Sequence, residues 1–205
     1  VTSGITHNGK IVVFSGNAST MDHVRNITQT KNGPLFGRSV ATNGDLNGDG
    51  MNDMIVSNTG DFDSPMGFSS IEIFFGKEGG FNGSADQSII TNLQGKLFGF
   101  TLNYLGDVNA DGYDDFMFSE PFNSSKFRAG TVWGYYGSAS GLSSAVPNYT
   151  FCNGVPSALL GNNFLPAGDI NEDGYDDVLM MQALGGNSGW VVIILGSSTG
   201  LRSDW

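Results

Sequence analysis

The sequence predicts an all-β chain made of repeated four-stranded antiparallel units, the construction of a β-propeller. Three observations carry that reading. A nine-residue acidic motif occurs as Asp45-Leu-Asn-Gly-Asp-Gly-Met-Asn-Asp53, Asp107-Val-Asn-Ala-Asp-Gly-Tyr-Asp-Asp115 and Asp169-Ile-Asn-Glu-Asp-Gly-Tyr-Asp-Asp177, so its starts at 45, 107 and 169 recur every 62 residues. Each copy is followed by two apolar segments rich in β-branched and aromatic residues. No stretch of ten residues shows a capped 3.6-residue hydrophobic period, and Gly-rich turns punctuate the chain throughout.

The elements of one unit follow in order. Leu35-Phe-Gly37, Leu97-Phe-Gly99 and Leu159-Leu-Gly161 each stand ten residues before an acidic motif and open strand 1, near 37–44 in the first full unit. Strand 2, near 53–58, starts at the end of the motif with Met54-Ile-Val56, Phe116-Met-Phe118 or Val178-Leu-Met180. Strand 3, near 69–76, is Ile71-Glu-Ile-Phe-Phe75, Thr131-Val-Trp-Gly-Tyr-Tyr136 or Trp190-Val-Val-Ile-Ile-Leu195, and each copy ends on a glycine, Gly76, Gly137 or Gly196. Strand 4 falls near 86–92. Units of this size bury their faces when stacked radially. A 62-residue unit is long for a solenoid coil, and a sandwich gives no reason for regular repetition.

By this pattern residues 1–34 form an incomplete blade of two strands, 35–96 and 97–158 are full blades, and 159–205 is an incomplete blade of three strands, about 3.3 blades in all. Propellers close with roughly four to eight blades. The expectation is a partial propeller, whose ring is completed by remaining blades from further sequence or from another protein chain.

Composition narrows the function. The chain has 205 residues, 9 Lys plus Arg against 20 Asp plus Glu, and a formal net charge of −11, which opposes nucleic-acid binding. Hydrophobic residues at 39%, including 15 Phe, supply a core. No apolar run reaches the roughly 18 residues of a membrane span, and no signal-peptide pattern opens at Val1. A single cysteine, Cys152, excludes an internal disulfide framework and a multi-cysteine zinc site. The sequons at Asn17, Asn26, Asn82, Asn123 and Asn148 are glycosylation candidates if the protein is secreted.

The acidic motifs carry the chemistry. Side-chain oxygens stand at positions 1, 3, 5 and 9 of each: Asp45, Asn47, Asp49 and Asp53; Asp107, Asn109, Asp111 and Asp115; Asp169, Asn171, Asp173 and Asp177. Gly50, Gly112 and Gly174 at position 6 permit a tight turn, and the backbone carbonyls of Met51, Tyr113 and Tyr175 at position 7 add a further donor. Carboxylates with neutral oxygens and no nearby His or Cys suit Ca²⁺, giving three expected sites. An EF-hand needs a bidentate Glu at position 12, where Val56, Phe118 and Met180 stand instead. Solvated turns rich in Asp, Asn and Gly are the bland alternative. Against it stand the threefold recurrence of the spacing and the concentration of twelve of the twenty acidic residues in these loops.

These residues resemble the FG-GAP repeat, the blade unit of integrin α-subunit propellers, over about residues 9–205. The resemblance rests on Leu35-Phe-Gly-Arg-Ser-Val40 with Gly44-Asp-Leu-Asn-Gly-Asp-Gly50, Leu97-Phe-Gly-Phe-Thr-Leu102 with Gly106-Asp-Val-Asn-Ala-Asp-Gly112, and Leu159-Leu-Gly-Asn-Asn-Phe164 with Gly168-Asp-Ile-Asn-Glu-Asp-Gly174. Leu160 replaces the motif's Phe in the third copy, and the Gly-Ala-Pro element survives only as Ser119-Glu-Pro121. The resemblance implies a seven-bladed ring with calcium between strands 1 and 2 on one face. It also implies that protein partners engage the opposite face, where Phe62, Phe68, Phe122, Phe127 and Arg128 are the interface-type residues.

The expected function is a non-catalytic, calcium-stabilised module for extracellular or cell-surface protein binding, adhesion or assembly. Alternatives are the propeller portion of a larger hydrolase, such as a phospholipase-type enzyme, and a glycan-binding propeller using Trp133, Trp190 and Trp205. His7 and His23 lie in no catalytic or metal-ligand pattern, so no catalytic residues are expected. Trp133 and Trp190 fall in strand 3, where core packing is the expectation.

Overall fold

The computed structural model describes residues 9–16, 20–28, 35–59, 69–91, 97–121, 129–152, 154, 159–184 and 188–202. Among them are thirteen strands in four antiparallel sheets. β1 (Lys10–Gly16) pairs with β2 (Met21–Thr28). β3 (Phe36–Gly44), β4 (Asp53–Asn58), β5 (Ser69–Phe74) and β6 (Gln87–Thr91) form the second sheet in that order. β7 (Leu102–Gly106), β8 (Asp115–Glu120), β9 (Thr131–Tyr135) and β10 (Tyr149–Phe151) form the third, and β11 (Asn163–Gly168), β12 (Asp177–Leu184) and β13 (Ser188–Ile194) the fourth. The expected strands at 37–44, 53–58, 69–76 and 86–92 thus coincide with β3 to β6 to within two residues.

The order of burial explains the blade. β4 and β8 are buried at every residue, because each has a strand on both sides and a neighbouring sheet against its faces. Their apolar runs are continuous rather than alternating for that reason. The first strands of successive sheets lie against one another, β3 against β7 and β7 against β11. Where these inner strands converge, a cleft of about 430 Å³ is lined by Thr42, Asn43, Asn103, Tyr104 and Asp176 among others.

Three apolar clusters fill the three seams between sheets. One gathers Ile27, Phe36, Met54, Val56 and Phe74. The next joins Leu46, Ile55, Ile71 and Ile73 to Phe98, Tyr104, Phe116, Phe118 and Tyr135. The third joins Val108, Met117 and Val132 to Leu160, Phe164, Val178 and Ile194. Aromatic rings dominate the middle seam: Phe116 stacks on Tyr135 at 5.6 Å, and Phe98 meets Phe118 edge-on at 4.6 Å.

The Phe-Gly motif is a seam device. Phe98 and its third-copy replacement Leu160 are both buried, so a smaller apolar side chain serves where the neighbours are Leu105, Met117 and Val132. Gly99, at φ +74°, sits where a Cβ would stand 2.7 Å from Ser57 and Ile71 of the preceding sheet. Glycine is required there by backbone and space together.

Trp133 packs on Phe98 and Phe118 as expected, at 5.5 and 5.4 Å. The expectation for Trp190 is overturned: it is 63% exposed. It shares a face of β13 with Val192 and Ile194, which pack into the third seam, but stands opposite Gln182 near the start of the strand; Val191 and Ile193, on the other face, have no sheet over them among the described residues. Cys152 is half-buried and free. No helix among the described residues is long and apolar enough to cross a membrane.

Candidate metal loops

Each acidic motif links the first strand of a sheet to the second. A register irregularity precedes all three, between Ala41 and Gly44, Tyr104 and Gly106, and Pro166 and Gly168, turning the chain out of the ladder and into the loop. The loop then closes on its own polar groups. Asp45 Oδ1 accepts from the Asp49 N–H at 3.1 Å and Oδ2 from Gly50 at 2.7 Å, while Asn47 Oδ1 also accepts from Asp49 and Asp49 Oδ1 from Met51. The loops at Asp107 and Asp169 repeat these four bonds at distances within about 0.2 Å. Position 6 is left-handed in every copy, a conformation that favours the glycine found there, and so is position 4, occupied by Gly48, Ala110 and Glu172.

Position 9 has a different environment. Asp53, Asp115 and Asp177 are fully buried. Asp53 Oδ2 accepts from the Leu46 N–H at 2.9 Å and Oδ1 from Gly76 at 2.8 Å. Asp115 serves Val108 and Gly137, and Asp177 serves Ile170 and Gly196, in the same way. These bonds explain why the motif and the glycine after strand 3 recur together: one carboxylate ties the loop to the end of the third strand. Burial pushes the Asp115 carboxyl up to about 8, with the charges of Asp111 and Asp107 adding to it and the two backbone bonds opposing it. Burial likewise pushes Asp53 up to about 6, with Asp45 and Asp49 as the nearby charges.

The donor set fits a hard cation. Positions 1, 3, 5 and 9 supply side-chain oxygens and position 7 a carbonyl, a set that approaches the six to eight oxygens of Ca²⁺. A divalent ion would relieve the repulsion among the like-charged carboxylates around the buried Asp115. Among the described residues no three His, Cys, Asp or Glu side chains converge into a metal-sized cluster. Each loop places an Asn at position 3, and its position-9 oxygens face backbone amides, so a bound ion would draw on the lone pairs those bonds leave over.

The other candidates are placed unevenly. Asn26 is exposed on β2. Asn148 is exposed, and its Oδ1 accepts from the Tyr136 N–H and the Ser143 hydroxyl. Asn82 is half-buried, bonded to Lys77 Nζ and donating from Nδ2 to Asp86 at 2.7 Å, which engages the atom a glycan would need. Asn17, Asn123, Phe62, Phe68, Phe122, Phe127 and Arg128 lie outside the described residues, as do His7 and Trp205. One pair of residues escaped the sequence reading: Asp114 and Asp176, at position 8, reach across a seam to the preceding loop. The sequence signal was there, an Asp-Asp pair closing the second and third motifs.

Antiparallel blades of up to four strands set inner strand to inner strand, with an acidic loop between strands 1 and 2 and a buried Phe-Gly or, in the last copy, Leu-Gly at each seam, define a β-propeller of the FG-GAP type. No protein-family model matches the chain. It is similar to integrin alpha-PS2 of Drosophila melanogaster, 34% identical over 140 residues that cover 65% of the chain and 10% of that protein. Human integrin alpha-IIb is 31% identical over 165 residues, covering 74% of the chain and 15% of the relative. Chicken (Gallus gallus) integrin alpha-V is 27% identical over 195 residues, covering 84% and 17%. The chain belongs to the integrin α-like FG-GAP repeat family. It spans 10 to 17% of the length of these three relatives.

Proposed function

We propose that the chain is a non-catalytic, calcium-stabilised propeller module that binds protein partners outside the cell, in adhesion or surface assembly. The observation that carries this reading is the threefold copy of one oxygen-lined loop, with matching hydrogen bonds, at the same junction of three successive sheets. Asp45, Asn47, Asp49, Asp53 and the Met51 carbonyl would hold the first ion. Asp107, Asn109, Asp111, Asp115 and the Tyr113 carbonyl would hold the second, and Asp169, Asn171, Asp173, Asp177 and the Tyr175 carbonyl the third. When bound, the ions supply positive charge where buried and clustered carboxylates repel, so their role is to brace the rim rather than to do chemistry. Oxygen-only loops of this kind suit the high calcium of extracellular fluid.

The bare face of β11–β13, with Leu165, Met181, Val191 and Ile193 exposed, is the surface on which a further blade would sit in a seven-bladed ring. The partner-facing residues would be Phe62, Phe68, Phe122, Phe127 and Arg128 on the rim opposite the loops. The similarity to integrin α chains supports adhesion over the hydrolase reading.

Thermal melting tests the calcium assignment. Millimolar calcium is expected to raise Tm well above its value in excess chelator, because an ion that binds only the folded chain stabilises it by RT ln(1 + [L]/Kd). Titration calorimetry is expected to count three ions. Equal melting in chelator and calcium overturns the assignment.

A further inference from the structure

Successive acidic loops are joined by a bridge that their ligand spacing does not require. The Asp45 N–H donates to Asp114 Oδ2 at 2.7 Å, and the Asp45 carbonyl accepts the Asp114 N–H at 3.0 Å. At the next seam the Asp107 N–H donates to Asp176 Oδ2 at 2.9 Å, and its carbonyl accepts the Asp176 N–H at 3.2 Å. Asp45 and Asp107 are the first residues of their loops; Asp114 and Asp176 are the eighth residues of the loops that follow. A second tie runs beside each bridge, from the Ser138 N–H to the Leu46 carbonyl and from the Ser197 N–H to the Val108 carbonyl, both 3.1 Å. The chain leaves room for the arrangement. Gly106, at φ +85°, stands where any Cβ would collide with the Asp176 carboxylate.

We infer that the eighth loop residue is a positioning residue for the ion site of the preceding blade, so that neighbouring calcium sites fill cooperatively; this rests on the calcium reading above. The path is short. The Asp45 carboxylate is clamped by Asp49 and Gly50, and its backbone is clamped by Asp114. An ion that orders Asp45 therefore also orders Asp114, which lies between Tyr113 and Asp115, two of the second loop's own donors. Once one loop has been ordered, less conformational entropy is lost in ordering the next. The loops are not equivalent in this respect. Among the described residues nothing bridges onto Asp169, and Ile170 is 49% exposed where Leu46 and Val108 are fully buried.

Calcium titration of the isotope-labelled chain, followed by amide NMR, resolves the sites. The Gly50, Gly112 and Gly174 N–H groups each donate to the first carboxylate of their own loop, at 2.7, 2.8 and 2.8 Å, and so report the loops separately. Asp114→Ala is expected to raise the calcium midpoint read at Gly50 about ten-fold, the weight of one charge-assisted backbone bond. Asp176→Ala does the same at Gly112. Asp114→Asn and Asp176→Asn keep an oxygen acceptor and restore most of the affinity. An unchanged midpoint at Gly50 in Asp114→Ala, or a shift confined to Gly112, overturns the inference. If the alanine variants do not fold, the wild-type binding curve decides: three independent sites of unit slope overturn it, and a slope above one supports it. Spectra of the wild-type chain that do not respond to calcium overturn the calcium reading itself, a different outcome.

Discussion

The strand that ends at the recurring glycine meets opposite fates in the second sheet and the last. In β5, Ile71 and Ile73 are fully buried beneath the sheet that follows, whereas in β13 the residues at the same distances from the glycine, Val191 and Ile193, are 60% and 49% exposed. The loops show the same contrast, Leu46 at 0% against Ile170 at 49%. The apolar residue type is kept while the burial is not. Burial on this face is therefore conferred by the next sheet, and the strand contributes only the capacity to be covered.

Substitutions on the two faces can break that comparison. Phe116→Ala, at the centre of the covered seam, is expected to destabilise the chain by about 3–5 kcal/mol, measured by urea denaturation. A loss below about 1 kcal/mol would mean that the seam is not a tight core. Gly99→Ala is expected to cost about 2 kcal/mol, since it places a side chain in the left-handed region against Ser57 and Ile71. Gly50→Ala shares the positive φ but has open space around it, so the difference between the two variants isolates the steric part. Ile193→Ala on the bare face should change stability by no more than about 0.5 kcal/mol. A larger loss would show that β13 is covered in solution.

Much of this arrangement was legible from residues alone. The strands around Met54–Val56 and Ile71–Phe75 and the acidic loops repeat the same chemistry at a fixed spacing, and a repeated pattern reports a repeated environment. Trp190 departs from expectation because it stands near the start of β13, beyond the packing that covers Val192 and Ile194 on the same face, a limit that the strand's own residue pattern does not show. Asp53, Asp115 and Asp177 were counted as ligand candidates, but their bonds to Gly76, Gly137 and Gly196 were hidden, because residues 19 to 23 positions apart in sequence meet only once the blade has folded. The Asp114 and Asp176 bridges span 69 positions and were less visible still.

The seam ties at the loop rim run mostly from main chain to main chain, as between Asp114 and Asp45 or Ser138 and Leu46. The main-chain joints ask mainly for backbone shape, with the Asp114 and Asp176 carboxylates and the glycines at 106, 137 and 196 as the side-chain requirements. A unit duplicated in tandem arrives with plug and socket already matched, so lengthening an array of this kind needs no new interface to evolve, and each added copy turns the growing arc by the same step.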